Sequence, residues 1–237
     1  ISRSSFYVEF TGATNTSYTS YDNFLFGFLL YAYPVVEHPQ SPTVFSNNHA
    51  GTYGGGLYIF NSVLFPTAIN TRFTGNTAKS AGGGLFLHFE TVGMALQGVS
   101  FEDNYSPFDG GAVALMSGQY GFVFKNCSFR GNSASSYGGA VMIFADNGVG
   151  SFATGNEILF ESSTFFNNTA TAGGAMTSSQ SNTVAFQDCQ VDSNVATEGN
   201  GGAVWLEHTC TFSSTNSSFV SNQAAACGGG ITSSDYS

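Results

Sequence analysis

Charge is scarce in this chain. Only 8% of its 237 residues are Asp, Glu, Lys or Arg, against roughly 25% in an average globular protein. The five basic residues, Arg3, Arg72, Lys79, Lys125 and Arg130, leave a net charge of −10. Without a basic stripe or enough cations to displace phosphate counterions, nucleic acid is excluded as a partner. Long hydrophobic runs are missing too. The longest, FLFGFLLYAYPVV at 24–36, is interrupted by Gly27 and Pro34 and is too short for a transmembrane helix, which needs about 20 apolar residues. Neither a C-x-x-C nor a His pair offers metal ligands, and no cofactor is expected. Met and a signal peptide are absent before Ile1, which suits a processed or partial polypeptide.

What the chain has instead is a repeat. FRGNSASSYGGAV from Phe129 recurs as FSNNHAGTYGGGL from Phe45, FTGNTAKSAGGGL from Phe73 and FEDNYSPFDGGAV from Phe101. It continues as FFNNTATAGGAM from Phe165, VDSNVATEGNGGAV from Val191 and FVSNQAAACGGGI from Phe219. The steps are 28, 28, 28, 36, 26 and 28 residues. So regular a period means one small supersecondary unit stacked many times.

Within each unit apolar residues alternate, as at Val141 and Ile143, or at Phe122, Phe124 and Cys127, and a period of two means strands. The segments are too short, and too often broken by Gly, Asn and Ser, to hold a helix of useful length. Three short strands and three turns per unit are predicted. A single coil cannot bury its apolar face, but stacked coils share one core and pair their backbones above and below. The expected fold is all-β: a right-handed single-stranded parallel β-helix of about eight coils. Residues 1–44 form an N-terminal cap and a degenerate first coil, with Leu29 beneath Leu57; residues 45–237 form seven repeats. The eight-residue excess near 144–157 becomes a loop. Because the seventh copy stops soon after GGGI, this single solenoid domain is expected to belong to a longer chain or assembly.

Each repeated letter has a structural purpose. Phe fills the core. Asn48, Asn76, Asn104, Asn132, Asn168, Asn194 and Asn222, stacked about 4.8 Å apart, are placed to form an amide ladder that also satisfies turn backbone. The glycine pair permits positive φ and close approach between coils.

The paired F-x-x-N and G-G-[A/G]-[I/L/V] motifs resemble those of the chlamydial polymorphic membrane proteins, over residues 45–231. The resemblance implies a right-handed β-helix in a surface-exposed or secreted protein of adhesive or structural role, with no catalytic residues to carry over. The membrane-anchoring β-barrel of that family has no counterpart here.

Two functions follow for testing. The first is a non-catalytic extracellular or cell-surface structural or adhesive protein, such as a fibre subunit assembled end to end. Its expected partners are copies of itself, other surface proteins or glycans. The alternative is a carbohydrate-active lyase-like or hydrolase-like β-helix enzyme, which needs two carboxylates in one groove. The acids in range are Glu102, Asp103 and Asp109; Asp188, Asp192 and Glu198; and Glu90 with Glu207. Each reads as a solvated turn acid, and GHG and RIK signatures are absent. Sequons at Asn126, Asn167 and Asn216 point outward and, with the one at Asn15, are candidate N-glycosylation sites, whereas Asn104 belongs to the inward ladder. Outward positions after the glycines are Tyr58, Phe86, Ala114, Met142, Thr177 and Trp205. They make an apolar stripe, expected either to associate with a neighbouring chain or sugar through Tyr58, Phe86, Met142 and Trp205, or to be covered by terminal loops. Cys127 and Cys189, two coils and so about 9.6 Å apart, exceed disulfide reach. Cys210 and Cys227 could pair only if the last coil closed irregularly.

Overall fold

The computed structural model describes residues 42–60, 68–88, 91–92, 95–116, 119–145 and 155–234, and every regular element in them is a β-strand. The chain winds as a parallel β-solenoid. Three sheets of seven strands and one of six run its length, so the described residues hold seven rungs. The degenerate coil expected at 24–36 lies outside them, as do the rest of the N-terminal segment to residue 41 and most of the insertion.

The first sheet carries the repeat-start residues, from Thr43–Ser46 to Ser218–Val220. Phe45 pairs with Phe73, Phe101 with Phe129 and Val191 with Phe219. The glycine-led sheet runs from Leu57–Phe60 to Ile231–Ser234, and the sheet preceding each repeat start from Ala68–Ile69 to Thr211–Thr215. These are the three predicted strands. Each rung adds a fourth strand of two residues, such as Thr77–Ala78 or Thr169–Ala170, just after the ladder asparagine. Two residues are too few to show alternation in sequence, yet they can pair with the rungs above and below. A two-stranded sheet, Thr91–Val92 with Gln119–Tyr120, completes the set. Register survives the long step: Phe129 pairs with Phe165 and Phe124 with Phe160. The extra residues therefore lie between the strands Val141–Phe144 and Glu157–Glu161.

One core fills the tube. Phe45, Phe73, Phe101, Phe129 and Phe165 stack face to face with centroids 4.8, 4.9, 5.0 and 4.6 Å apart. Burying each ring is worth roughly 1.5–3 kcal/mol, and such pairs add about 0.5–1.5 kcal/mol beyond area. Val191 interrupts the stack, and Phe186 from the neighbouring sheet fills the gap. It lies 5.4 Å from Phe165 and 6.1 Å from Phe219, stacked on both.

The turns are columns as regular as the sheets. Just before each ladder asparagine stands a left-handed residue: Asn47, Gly75, Asp103, Gly131, Asn167, Ser193 or Ser221, with φ of 52–63°. Another such column, Asn70, Gly98, Asn126, Ser162, Asp188 and Asn216, lies at the corner entering the first sheet, with φ of 50–62°. Asn, Asp and Gly tolerate this conformation best. In the glycine pair the first member, from Gly54 to Gly228, takes φ of 61–66°. The second lies against the backbone of the next rung: a Cβ on Gly139 would sit 2.7 Å from the carbonyl carbon of Thr169.

Candidate functional site

The asparagine ladder is continuous. From Asn48 to Asn194, each side-chain Nδ2 donates to Oδ1 of the next rung's asparagine at 2.9–3.0 Å. The backbone N–H of the same residue donates to that same oxygen. The second Nδ2 hydrogen goes to a main-chain carbonyl of the preceding rung: Asn76 to Phe45, Asn104 to Phe73, Asn132 to Phe101, Asn168 to Phe129, Asn194 to Phe165 and Asn222 to Val191. Each interior asparagine thus uses both hydrogens and both lone pairs, which is why five of them can be fully buried.

A second, shorter column has no signature in the repeat. Asn156 donates through its backbone N–H and Nδ2 to Asn182 Oδ1, at 2.9 and 2.8 Å. Cys210 follows one rung later, its Sγ 3.0 Å from the Glu207 carbonyl. The 26-residue offset between the two asparagines is visible in the sequence, but it occurs once, and once is not a pattern. A third column sits two residues before each repeat start. Ser163 Oγ accepts from Cys127 N, and Ser217 Oγ accepts from Cys189 N, both at 3.0 Å. The buried thiols Cys127 and Cys189 direct Sγ to the carbonyls of Leu96 and Phe160. All four cysteines are free, Cys210 and Cys227 included. Burial pushes the Cys127 thiol up to about 11, which keeps it an inert thiol at neutral pH.

The outward apolar stripe needs correction. Of its members Tyr58 is 43% exposed, but Phe86 is 0%, Met142 2% and Trp205 6% exposed, and Ala114 and Thr177 are buried as well. Their side chains do project from the face opposite the tube core: Phe86 and Ala114 form a separate apolar cluster with Ala81, against which Met116 and Phe144 pack. Ring contacts close parts of it. Tyr53 and Tyr58 lie 4.5 and 5.5 Å from Phe86, and Tyr137 lies 5.3 Å from Trp205. Trp205 Nε1 donates to Ser234 Oγ at 3.1 Å. Outward in a strand is not the same as wet, because large rings from the adjacent corner fold over small neighbours. An open association face made of Phe86, Met142 and Trp205 is therefore ruled out.

The acids are dispersed. In register, Glu102 stands between Thr74 and Arg130, and Glu161 between Lys125 and Gln187. Asp192 stands between Phe166 and Val220, and Glu207 between Ser179 and Ser234. Glu161 accepts a 2.8 Å ion pair from Lys125, and Asp188 Oδ1 accepts from Asn216 Nδ2 at 3.0 Å. Asp103 occupies a left-handed turn; Glu198 is exposed; Glu90 and His38 lie outside the described residues. His88 Nδ1 lies 3.3 Å from the Tyr58 hydroxyl. No group of His, Cys, Asp and Glu among the described residues could hold a metal ion, and no helix there is long and apolar enough to cross a membrane.

Among the described residues Asp109 is the acid most changed by folding. Burial pushes its carboxyl up to about 6, against the opposing effect of the Tyr137 N–H that it accepts at 3.2 Å. A raised folded value means the charged form is the strained one. Stability should fall as pH rises from about 4 to 6 and then level off. Asp109→Asn keeps an acceptor for Tyr137 and removes the charge. Its thermal midpoint is expected to exceed wild type by a few degrees at pH 8 and to match it near pH 4; circular-dichroism melts at the two pH values check this.

The sequons divide by environment. Asn126, Asn167 and Asn216 are exposed, Asn104 is a buried ladder member, and Asn15 lies outside the described residues. No curated protein and no solved structure matches this chain. A family model described as right-handed β-helix region matches residues 40–237, and its hand agrees with the preference for right-handed crossovers between parallel strands. The rungs, the parallel register and this match together place the chain in the right-handed β-helix family.

Proposed function

We propose that this protein is a non-catalytic structural or adhesive element of an extracellular or cell surface, as the likeness of its F-x-x-N and G-G-[A/G] repeats to chlamydial polymorphic membrane proteins implies. The strand register carries the reading. Glu102, Glu161, Asp192 and Glu207 each have non-acidic neighbours above and below, and Glu157 pairs with Thr183, whereas glycoside hydrolysis needs two carboxylates converging on one bond. The repeated positions go to ladder, stack and turns. A low-charge exterior of Ser, Thr and Asn suits contact with copies of itself, other surface proteins or glycans. Nucleic acid has no place on it.

The test combines location with chemistry. Antibody labelling of intact cells should mark the exterior, and negative-stain images of the purified protein should show rods or fibres. Neutral and acidic polysaccharides incubated with it should release neither reducing ends nor unsaturated products. Labelling confined to permeabilised cells would overturn the location, and steady product release would establish the carbohydrate-active alternative.

A further inference from the structure

We infer that Asn126 and Asn167 are acceptor sites for N-linked glycans, that Asn216 is disfavoured and that Asn104 is closed to modification. The inference rests on the extracellular reading above and adds a covalent chemistry to it. In the transfer, the asparagine Nδ2 forms a bond to the anomeric carbon of a lipid-pyrophosphate-linked oligosaccharide. The lipid pyrophosphate leaves with the bonding electrons, and the amide loses one proton. The donor meets an extended chain, so sequence decides entry; the fold decides whether the sugar can be carried.

The turn columns supply that decision. Asn126 belongs to the column in which Gly98 precedes it and Ser162 follows; Asn167 belongs to the column in which Gly131 precedes and Ser193 follows. Hydrogen bonds from Gly98 N to Lys125 O and from Asn126 N to Glu161 O hold the first column in step, and Gly131 N to Phe166 O and Asn167 N to Asp192 O the second. Each acceptor thus has a glycine on one side and a serine on the other, rungs about 4.8 Å away that leave the space above the turn open. Side chains here lean along the stack: a Cβ on Gly131 would meet Asp103 Oδ1, and one on Gly75 would meet Asn47 Oδ1. A larger neighbour would contest the place of the first sugar; Gly and Ser do not. Ser193 moreover turns its hydroxyl back to Asp192 Oδ1, at 2.8 Å. Positive φ also lifts both asparagines out of the strand alternation, while the following Cys127 and Asn168 are buried and anchor the backbone.

The other two sequons among the described residues differ in ways that count against them. Asn216 faces Asp188, and its Nδ2 is the donor in the 3.0 Å bond to that carboxylate; a sugar there would break the bond and rest on an acid. Asn104 Nδ2 spends both hydrogens inside the tube, on Phe73 O and Asn132 Oδ1, each at 3.0 Å. A glycan on it would prevent the third rung from closing.

The experiment is secretion of the full chain from a eukaryotic host, followed by site mapping. Peptide mass spectrometry after enzymatic deglycosylation, which converts a glycosylated Asn to Asp, should show conversion at Asn126 and Asn167, none at Asn104 and less at Asn216 than at either. Asn126→Gln and Asn167→Gln should each remove one glycan's gel shift and leave the circular-dichroism spectrum unchanged. Membrane-supplemented cell-free translation of the same variants counts transfer even when a variant fails to fold. Bare Asn126 and Asn167 in secreted, folded protein, or preferential modification of Asn104 or Asn216, would overturn the inference. Native protein found inside its cell would instead overturn the surface reading and leave the acceptor sites standing.

Discussion

Asn132→Leu should cost more than about 3 kcal/mol and lower the melting midpoint by roughly 6–12 °C, from about 1–3 kcal/mol for each buried polar group left unpaired and about 2–4 °C per kcal/mol in a chain of this size. The groups can be counted. Asn132 Oδ1 accepts from both the backbone N–H and Nδ2 of Asn104, and Asn132 Nδ2 donates to the Phe101 carbonyl and to Asn168 Oδ1. Leucine leaves two donors of Asn104 unpaired in a region with no exposed surface and takes the side-chain donor from the Phe101 carbonyl, while Asn168 Oδ1 keeps only the backbone donor. Leucine also branches where the amide was flat, so rungs three to five must separate to admit it. Asn48→Leu provides the contrast. That residue is half-buried, and its two donors go to a single acceptor, Asn76 Oδ1, so its loss should be less than half as large. Urea titrations followed by circular dichroism measure both, and equal midpoints for Asn132→Leu and wild type would refute the ladder as a source of stability.

The second large effect is expected from one methyl group. Gly139→Ala should cost more than about 3 kcal/mol, beyond the usual 1–3 kcal/mol of overpacking, because the obstruction is backbone. The new Cβ would meet the Gly174 carbonyl oxygen and lie 2.7 Å from both the carbonyl carbon and the nitrogen of Thr169. Nothing there can rotate away; two rungs must part, stretching the sheets on either side. Gly84→Ala is the internal control. Its column already carries Ala112, Ala140, Ala175 and Ala203 in other rungs, so the cost should stay within about 1 kcal/mol although its Cβ would stand 2.8 Å from the Ala112 carbonyl oxygen. The same denaturation midpoints compare the two, and similar losses would mean that the rungs have slack.

Half of each prediction is legible in the residues alone. The letters of the repeat name the ladder and the glycine pair, but not which glycine takes the left-handed turn and which lies under the neighbouring carbonyl. Asn126, Asn167 and Asn216 show the reverse case. In sequence they are sequons; in the fold they occupy turns that require positive φ, a backbone reason for Asn that holds with or without sugar.

The sequence by itself determined the strand period, the rung length, the parallel register and the identity of everything that stacks on its own copy: phenylalanine on phenylalanine, asparagine on asparagine. Each is a contact between equivalent positions one period apart, and translation along the solenoid turns spacing in the chain directly into spacing in space. Only the tertiary structure decided what happens between corners that are not equivalent. It brought Phe186 across from another sheet to replace the ring missing at Val191, paired Asn156 with Asn182 over a single step, and laid Tyr53 and Tyr137 against Phe86 and Trp205, so that a stripe apolar in sequence lies buried rather than open. Those contacts depend on ring size, on small neighbours that make room and on the angle at which the chain turns each corner, quantities that no period along the sequence encodes.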